Sequence, residues 1–303
     1  MNILFKKVSY LIDYFKYIEN PFEALKFKFG LTSTCDLKIK NSNYPLTLYH
    51  VDSINKLMSY MPIILTEKVD DFLKYIDNID KDKEYVVING INFVNIHNSE
   101  FIKNKKNDYS EHLEEFFTDD EWNMIDFEGR HVIDIGGNIG DTPLYFASKG
   151  AEVISFEPVK HLHELAEKNV EINKNYSDKI TLVNKGVGGK RGFLTFESAS
   201  VKGYANEESY EMEIISMKDL LNDYEFNPDI LKMDCEGCEF EIILNEDLTM
   251  FNDIIFEHHA KIAEKNHNLL IQKLKEEGFK IDTYPITISS LPFEDIGIIH
   301  AFK

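Results

Sequence analysis

Residues 132–142 read Val-Ile-Asp-Ile-Gly-Gly-Asn-Ile-Gly-Asp-Thr. An apolar strand runs into a turn with glycines, and a helix is expected to begin beyond it. Gly136 and Gly140 let the backbone turn sharply and approach a ligand closely; Asn138 lies between them in the same turn. Asp141 and Thr142 open the helix, where unpaired N–H groups suit a carboxylate. Asp134 stands at the strand end, where its carboxylate can meet an amino group. A ligand with an amino-acid end would use both. A dinucleotide fingerprint needs G-x-G-x-x-G. Here Gly136-x-Asn138-x-Gly140 lacks the middle glycine, and a pyrophosphate gains nothing from Asp134 beside it. A nicotinamide-dependent oxidoreductase is therefore disfavoured.

Glu157 ends the next apolar run, VISFEP, 23 residues after Asp134. In a nucleoside-binding sheet a carboxylate at that place accepts hydrogen bonds from both ribose hydroxyls. Gly186 and Val187 follow the KITLVN run, where glycines allow an adenine ring to lie flat against the backbone. S-adenosylmethionine carries a carboxylate and an amino group at one end and a nucleoside at the other, and is the expected cofactor.

Two further strand ends carry acidic and imidazole groups. Asp234 and Glu236 follow the strand ILKM, and Glu239 opens the next helix, where an acidic residue also suits the macrodipole. Glu257, His258 and His259 follow IIF. His258 is the expected proton acceptor, because imidazole titrates near neutral pH; Asp234 and Glu236 are its expected catalytic partners. Asp234 also counts among the cofactor-binding residues. Two carboxylates near a histidine can hold a hard divalent cation such as magnesium, but no metal is expected. Cys235 and Cys238 mimic C-x-x-C, yet a zinc site needs two more soft ligands and only Cys35 remains. The cysteines are read as packing residues.

Positioning these groups takes a parallel sheet. From residue 131 short apolar runs alternate with amphipathic helical stretches, which indicates a sheet with helices on both faces. FKIDTY and IGIIHAFK close the chain without a helix between them. An antiparallel last strand suits them and is the ending of methyltransferase sheets rather than dehydrogenase sheets. The expected fold is α/β, a Rossmann-like class I arrangement of seven mostly parallel strands with the last antiparallel. Ahead of it lies an α+β region. Leu4, Val8, Leu11, Phe15 and Ile18 recur at helical steps, residues 34–50 and 84–97 read as strands, and Asn89-Gly90 marks a hairpin. Residues 98–110 read as a linker or loop. A boundary near 115 separates residues 1–115, expected to help select the acceptor, from a methyltransferase domain at 116–303.

The 303 residues carry a formal net charge of −20, which repels phosphate backbones. No nucleic-acid partner is expected. No apolar run approaches the roughly 20 residues that span a bilayer, and the start lacks a signal peptide's apolar core. With three cysteines and no disulfide framework, a reducing, cytoplasmic setting is expected. Nothing in the sequence indicates the oligomeric state.

Residues 128–285 resemble the FkbM-type S-adenosylmethionine-dependent methyltransferase family. VIDIGGNIGDT looks like its glycine-rich first motif, and Glu157 in FEP matches its ribose-binding position. GVGGKRGFLTF is similar to its glycine turn and following strand, IISMKDLL to the segment before its fourth strand and IIFEHH to its fifth. LKMDCEGCEFEIIL closely resembles its Asp-x-Glu-Gly-x-Glu signature, the most specific match. Gly137 stands where the family usually has alanine, and Cys238 where it has a small residue. The resemblance implies O-methylation of a hydroxyl on a sugar, glycolipid or secondary metabolite, hence a small-molecule or glycan acceptor. The competing reading is a non-catalytic methyltransferase-fold partner or scaffold.

Overall fold

The structure is a computed structural model and describes residues 11–95, 116–117, 124–196, 209–224, 227–286 and 291–303. The expected helical positions Leu4 and Val8, strand residues 96–97 and the polar stretch 98–110 lie outside these. The chain forms two compact units, residues 1–120 and 121–303.

In the first unit residues 11–17 are helical. Helices α1 (Pro21–Lys28), α2 (Val51–Tyr60) and α3 (Val69–Asp80) accompany two antiparallel pairs, β1 (Cys35–Leu37) with β2 (Leu46–Leu48) and β3 (Tyr85–Ile88) with β4 (Ile91–Val94). The second pair turns through Asn89 (φ 51°) and Gly90 (φ 79°), the two left-handed residues that the Asn-Gly hairpin requires. Helix α3 buries Phe72, Leu73, Tyr75 and Ile76, which recur at one-, three- and four-residue steps. Neither α2 nor α3 was anticipated from the sequence.

The second unit holds a seven-stranded sheet. Its strands are β5 (His131–Ile135), β6 (Glu152–Phe156), β7 (Ile180–Val183), β11 (Ile230–Met233), β12 (Asp253–His258), β13 (Lys280–Tyr284) and β14 (Gly297–Phe302). Their spatial order is β13-β14-β12-β11-β5-β6-β7, with β14 antiparallel to both neighbours and the other neighbouring pairs parallel. This is the class I methyltransferase sheet. The order reverses between β5 and β11, so the crevice for ligands lies outside the carboxyl ends there. A smaller sheet joins β8 (Gly186–Gly188), β10 (Tyr210–Ser216) and β9 (Gly192–Phe196).

Helices α4 (Asp141–Ser148), α5 (Lys160–Ile172), α6 (Lys174–Ser177), α7 (Met217–Asp223), α8 (Cys238–Asn245), α9 (Ala260–Ala263) and α10 (Asn268–Glu276) complete the unit. Ile133, Leu231, Met233, Ile254, Phe256 and Ile299 are wholly buried between the layers. Each such side chain stabilises the fold by about 1.5–3 kcal/mol. At the amino ends of the central strands Arg130 pairs with both Asp229 and Asp253, fixing β5, β11 and β12 in register. Among the described residues no helix is long and apolar enough to cross a membrane.

Cys235 and Cys238 form a disulfide, which corrects the expectation of two packing thiols. The turn from β11 into α8 brings their Cα atoms to 5.5 Å, within disulfide reach. Closing so short a loop is worth about 2 kcal/mol of chain entropy. The Cys235→Ser/Cys238→Ser variant should unfold at lower urea than the oxidised protein, by about that free energy, and match the protein reduced with dithiothreitol. Equal midpoints for variant and oxidised protein would show that the bridge does not constrain the fold.

Candidate functional site

The turn after β5 is built by left-handed residues: Gly136 (φ 84°), Asn138 (φ 45°) and Gly140 (φ 84°). A Cβ at Gly136 would stand 1.8 Å from the carbonyl oxygen of Asp234, so only glycine lets this turn lie against the end of β11. Gly140 precedes α4 and packs on Ala166, where a Cβ would meet backbone at 3.1 Å. The turn and the β11 end are therefore in direct contact.

Asp134 is fully buried. Its Oδ2 accepts from Ser155 Oγ (2.7 Å) and Thr142 Oγ1 (3.0 Å), and its Oδ1 lies 2.9 Å from Lys232 Nζ. The ammonium also donates to the carbonyl of Gly136 at 2.7 Å. Lys232, 1% exposed, is an ion inside an otherwise apolar strand. Burial opposes its charge, but Asp134 and Asp234 outweigh that and hold its pKa above the ordinary lysine value. Asp134 thus works through the turn, tying β5, β6, β11 and α4 together. Sequence reading missed Lys232, although a lysine within the apolar run ILKM was a signal, since such a residue needs a buried partner.

Glu157 is 7% exposed and directly follows β6. Its Oε2 accepts from the N–H of Asn138 (2.9 Å) and Oε1 from that of Val159 (2.8 Å), so its remaining lone pairs are held in fixed directions. Burial pushes its pKa up to about 8, although both N–H donors and Lys232 pull the other way. Asp141, buried, opens α4. Gly186 and Val187 sit in the buried strand β8, where a Cβ on Gly186 would meet Ile214 at 2.5 Å. That atom is the terminal methyl of Ile214, which can move, so the contact disfavours a larger residue at Gly186 without requiring glycine.

At the ends of β11 and β12 the structure gathers an acidic cluster around His259 rather than His258. His259 Nε2 lies 3.2 Å from Glu257 Oε1, 3.6 Å from Glu236 Oε2 and 3.9 Å from Asp234 Oδ1. Its Nδ1 lies 3.2 Å from Oε1 of Glu239, which also accepts the Cys235 N–H at 3.1 Å. Burial opposes the imidazolium, yet Glu239 and Glu257 hold it, with Asp234 and Glu236, and its pKa is pushed up to about 11. Glu257 is shifted upward by burial.

His258 points elsewhere. It is wholly buried, stacked on His267 at 5.1 Å and edge-on to Phe293 at 4.9 Å. Burial, with His267 and His259 near, lowers its pKa to about 4. His258 is the last residue of β12, whereas His259 lies just past it and heads the next helix, so the pair divides where the strand ends. Of the expected acceptor residues, Asp234 and Glu236 are together and His258 is not with them. Glu239, wholly buried, is a member that the sequence suggested only as a helix-start charge.

The profile of the methyltransferase FkbM domain matches residues 134–281. Among solved structures, precorrin-6y C5,15-methyltransferase from Geobacter metallireducens is 14% identical, with 58% of this chain and 81% of that one covered at a TM-score of 0.37. Methyltransferase FkbM from Methylobacillus flagellatus is 12% identical over 83% of this chain, at a TM-score of 0.44; only 59% of its own length is covered. Magnesium protoporphyrin IX methyltransferase from Synechocystis, with bound S-adenosylmethionine, is 16% identical over 58% of this chain and 71% of that one, at 0.36. No curated protein sequence matches the chain. The Asp134 turn, Glu157, the Asp234–Glu239 turn and the Glu257 strand all fall inside the matched segment, and residues 134–281 are similar to the methyltransferase FkbM domain.

Proposed function

We propose that the protein transfers a methyl group from S-adenosylmethionine to a hydroxyl of a small molecule or glycan. The observation that carries this is the adjacency of two half-sites at the carboxyl ends of β6, β5, β11 and β12. The first half consists of Glu157 and the Gly136–Gly140 turn; the second is the acidic cluster around His259.

The residues fit the cofactor. Glu157 presents a buried carboxylate, already oriented by two N–H donors, that accepts from a ribose diol. The start of α4 offers N–H groups to the methionine carboxylate. Asp134 is paired with Lys232, so in this reading it positions the turn and does not itself meet the amino group. When bound, the cofactor supplies an activated methyl on a sulfonium that leaves as a neutral thioether. The chain must align an oxygen behind that methyl, and alignment supplies most of the effect. A hydroxyl entering the cluster meets Asp234, Glu236 and Glu257. As the carbon–oxygen bond forms and the carbon–sulfur bond breaks, its proton passes to one of these carboxylates. The imidazolium of His259 keeps the carboxylates together and is already protonated at neutral pH.

Calorimetry with S-adenosylmethionine tests the donor half. Glu157→Ala leaves the ribose hydroxyls unpaired, and affinity should fall by about 1–3 kcal/mol, roughly 5- to 150-fold. Equal affinity in variant and wild type would remove Glu157 from the site. A pH series with adenosine, which has no amino-acid end, isolates the carboxylate. Its ionised form offers the diol more acceptors, and its pKa in the free protein lies near 8. Adenosine affinity should therefore rise as pH climbs toward about 8 and level off above it. In Glu157→Gln that rise should vanish; a rise that persists belongs to another group.

A further inference from the structure

We propose that Asp234, Glu257 and His259 bind a divalent cation of the manganese or magnesium class beside the methyl acceptor. The cation's role toward the acceptor rests on the methyl-transfer reading above; its binding does not.

One donor atom from each residue can be chosen so that all lie within 4.8 Å of one another. With metal–donor bonds of about 2.1 Å, neighbouring donors of an octahedral ion stand about 3 Å apart and opposite ones about 4.2 Å. The separations of Nε2 from Glu257 (3.2 Å) and from Asp234 (3.9 Å) fall in that window.

The histidine is also mounted as a metal-bearing one is. Its side chain is 4% exposed, Nδ1 faces the wholly buried Glu239, and Nε2 is left directed among the other carboxylates. A carboxylate on the far nitrogen fixes the tautomer and ring plane of a ligating histidine. Glu239 adds buried negative charge. Its Oε2 is buried without a hydrogen-bond partner, and since Glu239 faces Nδ1, a cation on Nε2 acts on it through the ring and by its charge, without contact. Four carboxylates surround one imidazole, and a cation bound at Nε2 replaces the proton that the ring otherwise carries there, so that binding releases a proton. Lys232, the nearby buried cation, is engaged by Asp134 and Gly136.

Donor chemistry selects the ion. Two carboxylate oxygens and one imidazole suit manganese or magnesium better than a soft ion. The sulfurs of Cys235 and Cys238 are tied to each other. Asp234 is 44% exposed and Glu257 24%, so coordination positions face the crevice and are open to an acceptor hydroxyl. A hydroxyl on the cation loses its proton more easily. Glu236, exposed and 3.6 Å from Nε2, is placed to take it.

Protein stripped with EDTA and dialysed is titrated with manganese chloride, free ion being read by electron paramagnetic resonance and the fold by thermal melting. One Mn2+ per chain should bind and raise the melting temperature, and excess Mg2+ should displace it. Asp234→Asn and Glu257→Gln should each weaken binding by at least about 10-fold, and Glu239→Gln, acting through the ring, by about 10- to 100-fold. The proposal is overturned if millimolar Mn2+ does not bind, or if a folded Glu257→Gln and a folded Asp234→Asn both bind as wild type does. Calorimetry of the stripped protein with S-adenosylmethionine is run alongside. Donor binding without cation binding sinks the cation alone; loss of donor binding in stripped and manganese-loaded protein sinks the methyl-transfer reading.

Discussion

Lys232→Met is expected to lose about 3–5 kcal/mol of stability, the largest single effect among the site residues outside the apolar core. The methionine fills much of the lysine stem's volume, so the loss is chiefly electrostatic. Asp134 would keep its two hydroxyl donors, from Thr142 and Ser155, but lose the only cation within ion-pair distance among the described residues. A carboxylate left charged in a site with no exposure is costly. The carbonyl of Gly136 would lose its 2.7 Å donor as well. Urea unfolding measures the difference. In Asp134→Asn/Lys232→Met the stranded charge is gone, and the double variant should be more stable than Lys232→Met alone. Such non-additivity marks a true pair. A single variant within about 1 kcal/mol of wild type would mean that the pair is not what holds the turn. Because the lysine anchors the turn that Glu157 also grips, donor affinity should fall together with stability.

The sheet was legible because its signals are local. Ile135-Gly136 and Phe156-Glu157 end apolar runs, and burial of whole strands follows from placing helices on both faces. The two closing strands, with no helix between them, already implied an antiparallel β14. The turn proposed for the donor was legible for the same reason: left-handed Gly136 and Gly140 and an acidic strand end lie within one stretch of chain. What was not legible depends on which face a side chain takes. His258 and His259 differ by one residue, and the end of β12 between them leaves one in an aromatic box with His267 and Phe293 and turns the other into the carboxylates. Nothing in His-His states the register of β12. Lys232 and Asp134 are 98 residues apart and become a pair only because β11 lies beside β5 with Lys232 opposite Asp134. The disulfide was set aside for a different reason. Cysteine counting addresses frameworks that hold small folds together, whereas Cys235–Cys238 spans a single turn.

The division of the two histidines leads to an expected result in turnover. With an acceptor found by screening hydroxylated metabolites against labelled methyl donor, His259→Gln and Glu257→Gln should each lose about 100-fold or more in kcat, the usual scale for proton handling. His258→Phe should stay within a few-fold of wild type. His258 is buried against two aromatic rings with its pKa lowered to about 4, so it is a weak proton acceptor and has no open path to a substrate. A phenylalanine there preserves the packing on His267 and Phe293. His259 is held by carboxylates on both ring nitrogens, and removing it leaves Asp234, Glu236, Glu239 and Glu257 to repel one another without the charge that gathers them. Donor affinity separates this from a general loss of fold, because Glu157 and the Gly136 turn lie on the other strands of the crevice. It should remain near wild type in all three variants. A His258→Phe protein that binds donor normally but turns over 100-fold more slowly would return the proton acceptor to His258. Full activity in both His259→Gln and Glu257→Gln would remove the acidic cluster from the reaction and leave the donor half as the only functional part of this site.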